Sequence, residues 1–298
     1  MSDHATDPAT EAFVAHRNLL FTVAYEMLGS AADAEDVLQE TWLRWAGVDV
    51  GQVRDQRAYL VRITTRQSLN RLRAMRRRKE AYVGPWLPEP LLTAPDVACD
   101  VELAESVSMA LMLVLETLSP TERAVFVLRE AFGVGYDEIA ATVGKSPAAV
   151  RQIAHRARRH VDARRPREAV SPSRTRAVLE SFQRAAETRD LRGLLDVLAP
   201  EVVFMADGGG VKQAALRPII GADKVVRMIV GSVGKAGAAL TVAPTVVNGN
   251  PALVLRLDGE IDGVMALRVE DDRITGLYYV RNPEKLTRVE SETPLTLR

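Results

Sequence analysis

The stretch with the clearest capacity for chemistry is a glycine-rich turn in the last third of the chain. It reads MADGGGVKQAAL, residues 205–216, and holds three consecutive glycines between Asp207 and Lys212. Phosphate-binding loops of this kind follow a strand, end in Gly-Lys-Ser/Thr and open a helix. The run GVKQ lacks that ending, and Arg217-Pro218 interrupts it soon after. The sequence therefore favours a tight backbone turn that docks another segment or gates a pocket.

Acid–base chemistry in this part of the chain would depend on carboxylates. Histidine is the usual general acid or base near neutral pH, but all four histidines precede residue 173. The carboxylates that remain are Glu201, Asp207, Asp258, Glu260 and Asp262. The last three alternate along one predicted strand and its turn, which is typical of a solvated strand face. An aspartate-based cyclase or hydrolase is the alternative, as is ligand sensing without turnover.

Apolar residues of the same region could line a pocket for a small molecule. They are Phe204, Met205, Met228, Leu255, Met265 and Tyr278. The same residues could equally form the core, and the sequence leaves both interpretations open.

The cysteine and histidine content excludes several classes of protein. Cys99 is the only cysteine, so an intrachain disulfide is impossible and a reducing cytosol is expected. A Cys/His zinc site is not expected either, and we predict no metal or other cofactor. The N-terminus lacks a signal-peptide pattern, and the longest apolar stretch, MALMLVLETL, is too short for a bilayer. We therefore expect a cytoplasmic protein without membrane contact.

Charge is balanced overall but segregated along the chain. There are 39 basic and 39 acidic residues, yet Arg54–Lys79 contains ten basic residues and one acid. Lys145–Arg167 contains eight basic residues against Asp162. Either patch alone could be a solvated helix face. Two patches on separate helical segments favour nucleic acid, because clustered Arg and Lys bind phosphates.

The second basic patch overlies a helix-turn-helix pattern, GYDEIAATVGKSPAAVRQIAHRARRHV. Gly144 suits the left-handed cap of a first helix over 136–143, and Ser146 with Pro147 suits the start of a second. The apolar face of that second helix comprises Val150, Ile153, Ala154, Ala157 and Val161. Its outer face comprises Arg151, Gln152, His155, Arg156, Arg158 and Arg159. Such a basic recognition helix enters the major groove of DNA.

Periodicity divides the rest of the chain into three parts. Helical spacing of apolar residues runs from 11 to 82, and a proline-rich stretch to residue 100 predicts an extended linker. Helix resumes at about 101, runs to 118, pauses at Ser119-Pro120 and continues to about 161. From residue 173 the order is α-α-β-α-β-β-β-β. This pattern predicts sequential antiparallel strands with helices on one face, an α+β domain with a curved sheet.

The two helical segments resemble a bacterial RNA polymerase sigma factor of the extracytoplasmic-function group. SAADAEDVLQETWLRW (30–45) is similar to the polymerase-binding helix of sigma region 2. RAYLVRITTRQSLNRLRAMRRRK (57–79) resembles the helix that melts the promoter and reads its −10 element, with Asn70 where many relatives have aspartate. Residues 118–161 resemble region 4, which reads the −35 element and contacts the β-flap of polymerase.

The remainder resembles the SnoaL-like cone, an α+β fold found at the C-terminus of one sigma subgroup. WLPEP (86–90), DGGGV (207–211) and NPEKL (282–286) support this subgroup, although Val211 stands where lysine is usual and Lys212 follows. The implied fold class is multi-domain: two all-α sigma domains, region 2 and the region 4 helix-turn-helix, followed by an α+β SnoaL-like/NTF2-like cone domain. The predicted boundaries are 8–82 for region 2, 83–100 for a linker, 101–165 for region 4, 166–172 for a second linker, 173–287 for the SnoaL-like domain and 288–298 for a tail.

The resemblance implies four sets of functional residues. The −35 set is Ser146, Arg151, Gln152, His155, Arg156, Arg158 and Arg159. The −10 and melting set, which could hold unstacked bases, is Arg62, Arg66, Asn70, Arg73, Arg76 and Arg77. The polymerase-binding set is Asp33, Glu35, Asp36, Gln39, Glu40 and Trp42. The regulatory docking set is Trp86, Leu87, Pro88, Glu89, Pro90, Asp207, Gly208, Gly209, Gly210, Asn282 and Pro283.

Together these features predict a sigma factor and not an enzyme. It would bind core RNA polymerase through the β′ clamp helices and the β-flap, and promoter DNA through both helical domains. The SnoaL-like domain would tune this activity if WLPEP, DGGGV and NPEKL lie close together, and it could also hold a small-molecule ligand. The alternatives are a helix-turn-helix regulator that acts without polymerase, and a DNA-binding enzyme that turns over a small molecule.

Overall fold

The computed structural model describes residues 7–94, 100–164, 171–236 and 239–297. Their contacts form two compact units. The helical unit contains the described residues of Met1–Arg78, Leu115–Ala163 and Pro294–Arg298. The sheet unit contains those of Lys79–Val114 and Arg164–Thr293. Cys99 and most of the predicted second linker, residues 166–170, lie outside the described residues.

Among the residues that the structure describes, the body of the helical unit consists of the α-helices α1 (Pro8–Leu28), α2 (Ala31–Trp45), α3 (Gln56–Glu80), α6 (Pro120–Phe126), α7 (Tyr136–Val143) and α8 (Pro147–Asp162). The helices of the sheet unit, within the same described ranges, are α4 (Val101–Ser106), α5 (Met109–Leu115), α9 (Pro172–Glu187), α10 (Leu191–Val197) and α11 (Ala222–Ala236). Its strands are β1 (Leu198–Asp207), β2 (Ile219–Ile220), β3 (Leu240–Val247), β4 (Asn250–Leu257), β5 (Glu260–Glu270) and β6 (Arg273–Val280).

Local capping signals set the boundary between the first two helices. Gly29 ends α1 with a left-handed φ of 65°, a conformation that glycine adopts without a Cβ penalty. Ser30 then begins α2, and its Oγ accepts a hydrogen bond from the backbone N–H of Asp33 at 3.1 Å. The fully buried Trp45 ties α2 to the start of α1, because its Nε1 donates to the carbonyl of Ala9 at 2.7 Å.

The helix-turn-helix prediction is confirmed. Gly144 has a φ of 67° at the end of α7, and the Ser146 Oγ accepts from the N–H of Ala149 at 3.2 Å at the start of α8. The apolar stripe of α8 is buried at Val150, Ala154, Ala157 and Val161, while Ile153 is half-buried. Burial of one stripe leaves the basic face of α8 exposed to solvent.

The single helix predicted over 101–118 is wrong, because the chain forms α4 and α5 instead. A break separates Ser106 from Met109, and the Ser108 Oγ accepts from the N–H of Leu111 at 3.2 Å. A serine that caps the next helix competes with continuation of the previous one.

The sheet has the order β2-β1-β6-β5-β4-β3. Strands β3 to β6 form an antiparallel meander, as predicted. The turn between β3 and β4 uses Asn248 and Gly249, with φ values of 54° and 69°, which suit the twist of a two-residue hairpin. The expectation of antiparallel pairing throughout is incomplete, because β1 runs parallel to β6.

Both faces of the sheet are covered, and this differs from the predicted single helical face. One face packs on α9, α10 and α11 through a core that includes Phe182, Leu194 and Val225. The opposite face, which includes Tyr278, packs on Leu87, Met109 and Leu286, among others. The second cluster exists because the proline-rich linker and α5 lie on the sheet.

The described part of the linker is packed rather than flexible. Leu87 and Leu91 are fully buried. Leu91 exchanges two hydrogen bonds with Asn248, one from its N–H to Oδ1 and one to its carbonyl from the Asn248 N–H, both at 2.9 Å. The N–H of Thr93 donates to the carbonyl of Val246 at 3.1 Å. The linker therefore satisfies its backbone groups against the β3–β4 turn.

Candidate functional site

The last residue of β1, Asp207, is the centre of a buried polar cluster and has no solvent exposure. Its Oδ2 accepts from the Lys285 Nζ and from the Leu87 N–H, each at 2.8 Å. Its Oδ1 accepts from the Tyr82 hydroxyl at 2.6 Å and from the Gly209 N–H at 3.1 Å. A buried carboxylate is tolerated only when it is paired and hydrogen-bonded in this way.

Lys285, which lies 78 residues after Asp207 in the sequence, completes the cluster. Its Nζ also donates to the carbonyl of Leu87 at 2.6 Å and lies 4.0 Å from the centroid of the Trp86 ring. The Nζ of Lys79 lies 3.3 Å from the same centroid. Ammonium groups are attracted to the face of an indole ring, the more so when partly desolvated. Two lysines therefore hold Trp86 in place.

Asn282 joins the C-terminal stretch to both other segments. Its side-chain Nδ2 donates to the Tyr82 hydroxyl at 2.8 Å, and its backbone N–H donates to the carbonyl of Asp207 at 2.8 Å. Burial and the Asp207 carboxylate, which accepts the phenolic proton, raise the pKa of Tyr82 well above its usual range. The hydroxyl is therefore a stable donor at physiological pH. Pro283 follows at the start of a short 3-10 turn.

The glycine triplet allows these segments to approach each other. A Cβ on Gly208 would lie closer than 3.0 Å to the backbone oxygen of Lys212, and one on Gly209 would lie as close to the side chain of Asn282. Gly209 and Gly210 also have φ values of 63° and 74°, which disfavour residues with a Cβ. The triplet is a tight turn packed against the linker, where a Cβ on Gly210 would touch Val83 at 3.4 Å.

The structure thus brings WLPEP, DGGGV and NPEKL together. We call this arrangement the linker cradle: Asp207 at the end of β1 and Asn282 and Lys285 after β6, with Tyr82, Trp86 and Leu87 of the linker. Pro88, Glu89 and Pro90 are buried beside it. Sequence reasoning missed Tyr82 and Lys285. Lys285 lies within NPEKL, so its motif was a usable signal, whereas nothing near Tyr82 in the sequence marks it.

A second polar network surrounds Asp262, close to the same loop. The Asp262 carboxylate accepts from Arg281 at 2.8 and 3.0 Å, from the Tyr279 hydroxyl at 2.6 Å and from the Lys212 Nζ at 3.2 Å. Arg281 also donates to the carbonyl of Gln213. Asp258 and Glu260 are exposed, as the predicted solvated strand face requires. The same prediction is wrong for Asp262, because Asp262 is buried and paired. Lys212, displaced by one position from the subgroup pattern, has its partner here.

Asp262 is held as a carboxylate. Burial alone would raise its pKa, but hydrogen bonds from Arg281, Tyr279 and Lys212, with the charge of Arg281, lower the pKa to about 2. Burial and the bond to Asp262 raise the pKa of Tyr279 well above its usual range. A carboxylate whose lone pairs are committed to three donors is a poor general base.

We expect the sheet unit to lose stability as the pH falls from about 4 to about 2. The pKa of Asp262 is about 2 in the folded chain and about 3.9 in an unfolded one. A depressed carboxyl pKa contributes stability above the unfolded value, and this is lost as pH falls through the folded value. The difference corresponds to about 2 kcal/mol. Thermal unfolding across this pH range, compared between wild type and Asp262→Asn, should show a shallower slope in the variant.

The exposed Glu260→Gln on the same strand is the matched control for that measurement and should keep the wild-type slope. Equal slopes for wild type and Asp262→Asn would contradict the assignment.

A cavity of about 800 Å³ lies between the sheet and helices α9 and α11. Of the six residues predicted to line a pocket, Phe204, Met228, Leu255 and Met265 do so. The prediction is wrong for Met205 and Tyr278, which pack on the opposite face of the sheet. Side chains alternate along a strand, so Tyr279 lines the cavity instead of Tyr278.

The recognition helix α8 presents its predicted residues to solvent, with partners along one edge. Arg158 forms an ion pair with Glu130 at 2.5 Å, and Arg156 lies 4.0 Å from Glu122. The Arg151 guanidinium lies 5.8 Å from the Tyr136 ring centroid. The remaining members of the −35 face, Gln152, His155 and Arg159, are exposed and have no hydrogen-bond partner among the described residues. Ser146 acts as the helix cap.

The basic face of α3 is partly engaged within the helical unit. Arg66 donates to the carbonyls of Ala141 and Thr142 at 2.8 and 3.3 Å, where a cation complements the C-terminus of α7. Arg62 lies over the Tyr59 ring, with 4.8 Å to the centroid. The other predicted residues are exposed on α3: Asn70, Arg73, Arg76 and Arg77. They form a basic surface suited to a phosphate backbone.

The acidic face of α2 is largely neutralised by neighbouring residues. Asp33 is buried and accepts from Arg71 at 2.6 Å and from Arg78 at 3.2 Å. Burial raises the pKa of Asp33, but the hydrogen bonds from Arg71 and Arg78 outweigh it and lower the pKa.

The other members of the polymerase-binding set have varied surroundings. Glu35 pairs with Arg17 at 2.8 Å. Asp36 pairs with Arg71. Glu40 accepts from Gln67 at 2.8 Å. Trp42 packs on Phe13, with 5.3 Å between ring centroids. Gln39 is exposed, as is Leu43, which sequence reasoning did not single out and which is 73% exposed.

Two classes of site find no support among the described residues. They contain no group of three or more His, Cys, Asp or Glu side chains arranged for a metal ion. None of the described helices combines the length and the apolar character that a membrane span needs.

Comparison with known proteins agrees with these features. Residues 12–78 match the family Sigma-70 region 2, and residues 108–161 match Sigma-70, region 4. The chain is 38% identical over 289 residues to the ECF RNA polymerase sigma factor SigJ of Mycobacterium tuberculosis (strain ATCC 25618 / H37Rv), covering 92% of each chain. It is 34% identical over 295 residues to the "Probable ECF RNA polymerase sigma factor SigI" of Mycobacterium tuberculosis (strain CDC 1551 / Oshkosh), covering 98% of this chain and 99% of that one.

A solved structure extends the likeness to the fold. The crystal structure of Mycobacterium tuberculosis extracytoplasmic function sigma factor SigJ superposes with a TM-score of 0.77 at 34% identity, covering 96% of this chain and 100% of that chain. The coverage includes the sheet unit, so the fused α+β domain is shared as well as the helical domains. The chain therefore belongs to the extracytoplasmic-function RNA polymerase sigma factors, which are transcription factors and not enzymes.

Proposed function

We propose that this sigma factor is tuned by docking of its own linker in the linker cradle. The linker joins α3 to α4, and the chain between Glu80 and Val101 could span up to about 70 Å if it were free and extended. The observation that carries the proposal is the buried contact of Asp207 with Tyr82, Leu87 and Lys285. Docking limits the reach between the two helical domains, and release would extend it.

The contacts with polymerase and promoter follow the resemblance residue by residue. We propose that Asp36, Gln39, Glu40 and Trp42 of α2, with the exposed Leu43, face the β′ clamp helices. The basic surface of α3 would hold the −10 element and the outer face of α8 the −35 element. The burial of Asp33 gives it a structural role in orienting Arg71 and Arg78. Region 4 would also contact the β-flap.

The test is transcription in vitro with purified core RNA polymerase. Trp86→Ala removes the ring that Lys79 and Lys285 hold and should raise promoter output at least about 3-fold, as the docked linker loses about 1–2 kcal/mol of cation–π and packing energy. The exposed Glu80→Gln, where α3 ends and the linker begins, is the matched control and should behave as wild type. Unchanged output from Trp86→Ala would refute linker tuning. Promoter binding that is equally tight without core polymerase would support the helix-turn-helix regulator instead.

We also propose that the sheet unit binds a small molecule without turning it over. The cavity has the size of many ligand sites, which range from about 300 to 1,000 Å³. The buried carboxylate among its lining residues, Asp262, is committed to Arg281, Tyr279 and Lys212. An enzyme that uses Asp262 as a base would have to break this network first.

A further inference from the structure

We infer that the cavity of the sheet unit binds a small amphipathic acid, an apolar body with one anionic group; this inference rests on the proposed binding of a small molecule there. The interior of the cavity is apolar. The buried side chains of Phe182, Phe204, Leu253 and Met265 line it. Apolar walls favour a hydrocarbon or aromatic body, because its transfer from water stabilises the complex in proportion to the area buried.

The mouth of the cavity is positively charged. Glu187, Arg189 and Lys235 line the cavity and are exposed, so they lie where it meets solvent. Glu187 accepts a hydrogen bond from Gln183 at 2.8 Å. The side chains of Arg189 and Lys235 have neither an ion pair nor a hydrogen bond among the residues that the structure describes. Two unpaired cations against one acid favour an anionic group at this rim.

The polar residues on the inner wall of the cavity, Arg281 and Asp262, exclude the anionic group of the ligand from the interior. All the guanidinium donors of Arg281 that reach acceptors serve the Asp262 carboxylate or the Gln213 carbonyl. An anion placed there would compete with Asp262 for Arg281 and repel the remaining carboxylate. A charged group inside an apolar cavity is also costly without a partner. The ligand therefore lies with its apolar body inward and its acidic group between Arg189 and Lys235.

Two fluorescent probes that share an aromatic body separate the apolar part of this inference from the charged part. 1-Anilinonaphthalene-8-sulfonate carries a sulfonate, and N-phenyl-1-naphthylamine is its uncharged counterpart. We expect one site per full-length chain for each probe. Met228→Trp should fill the cavity and weaken both probes at least about 10-fold, since it removes apolar contact worth about 1.4 kcal/mol or more. Arg227→Trp, on the exposed face of the same helix, is the matched control and should leave both affinities unchanged.

The rim is tested by the double variant Arg189→Gln/Lys235→Gln. It should weaken binding of the sulfonate probe about 3- to 10-fold, because partly exposed ion pairs contribute modestly, and leave the uncharged probe within about 2-fold. Added salt should weaken binding of the sulfonate probe but not binding of the uncharged probe. Leu255→Trp fills the cavity from the sheet side and serves as the second filled variant if Met228→Trp does not fold.

The outcomes distinguish the two proposals. If neither probe binds, or if both filled variants bind the probes as tightly as the wild type does, the cavity is not a ligand site and both proposals fail. If the filled variants weaken both probes but the rim variant leaves the sulfonate probe unchanged, a ligand site remains and the acidic class is wrong.

Discussion

Asp207→Asn is expected to lower the stability of the sheet unit by about 3–5 kcal/mol, the usual cost of leaving one partner of a buried ion pair uncompensated. The variant keeps the shape of the side chain but removes the charge that faces the buried Lys285 ammonium at 2.8 Å. It also turns one acceptor oxygen into a donor group, which conflicts with the Leu87 N–H or the Tyr82 hydroxyl. Hydrogen–deuterium exchange in peptides from β1 and β6 measures the loss locally.

Two further variants show whether the loss comes from the unpaired charge. Asp207→Asn/Lys285→Met removes both charges and should recover part of the stability, because a neutral pair carries no buried ion. Asp272→Asn breaks the exposed pair with Arg174 and should cost no more than about 1 kcal/mol. A loss for Asp207→Asn as small as that of Asp272→Asn would contradict the central role of the Asp207–Lys285 pair.

Gly208→Ala is expected to destabilise the same region by about 2–4 kcal/mol, at or above the usual cost of overpacking. Its methyl would approach both the Lys212 carbonyl oxygen and the Ala214 Cβ closer than 3.0 Å. The carbonyl belongs to the backbone, so no rotamer change relieves the contact, and the loop carrying Lys212 and Gln213 must move. The same exchange experiment detects the movement as faster exchange after Asp207.

Gly231→Ala is the matched control for Gly208→Ala. Gly231 lies in α11 with no atom within 4 Å of an added Cβ, so the substitution should stabilise the helix by up to about 1 kcal/mol. If the two alanine variants exchange alike, the close packing of the triplet has no energetic consequence and the interpretation of the DGGG turn fails.

The main consequence of the Asp207–Lys285 contact is conformational. A buried ion pair often adds little net stability over an apolar pair of the same shape, although breaking it is costly. The Asp207–Lys285 pair is therefore best understood as a device that specifies where the linker lies, since Leu87 bonds to both partners. A segment specified by a few polar contacts can be released by competing interactions, as the proposed tuning by linker docking requires.

The cradle and the cavity also share one stretch of chain. Arg281 extends into the cavity network and the adjacent Asn282 into the cradle. The loop from Asp207 to Gln213 contributes to both. Adjacent residues that serve two sites provide a direct path for coupling between them.

The sequence alone determines those helices and turns of this protein whose signals lie within a few residues of each other. The left-handed Gly144 and the Ser146 cap placed the helix-turn-helix, because capping depends on backbone groups within four residues. Asn248 and Gly249 form the hairpin turn between β3 and β4 for the same reason, since its positive φ values suit these two residue types.

Contacts between distant residues were decided only by the tertiary structure. Tyr82 and Asn282 are 200 residues apart in the chain yet share a hydrogen bond. The sequence around Tyr82 has no periodicity that predicts this contact. Whether Tyr278 or Tyr279 faces the cavity depends on the register of β6 between β1 and β5, since one position exchanges the two faces of a strand. Asp262 could be placed in the buried network only once the fold brought Lys212 and Arg281 to it. Propensity and capping act over a few residues, whereas burial and charge pairing depend on which distant segments the topology brings into contact.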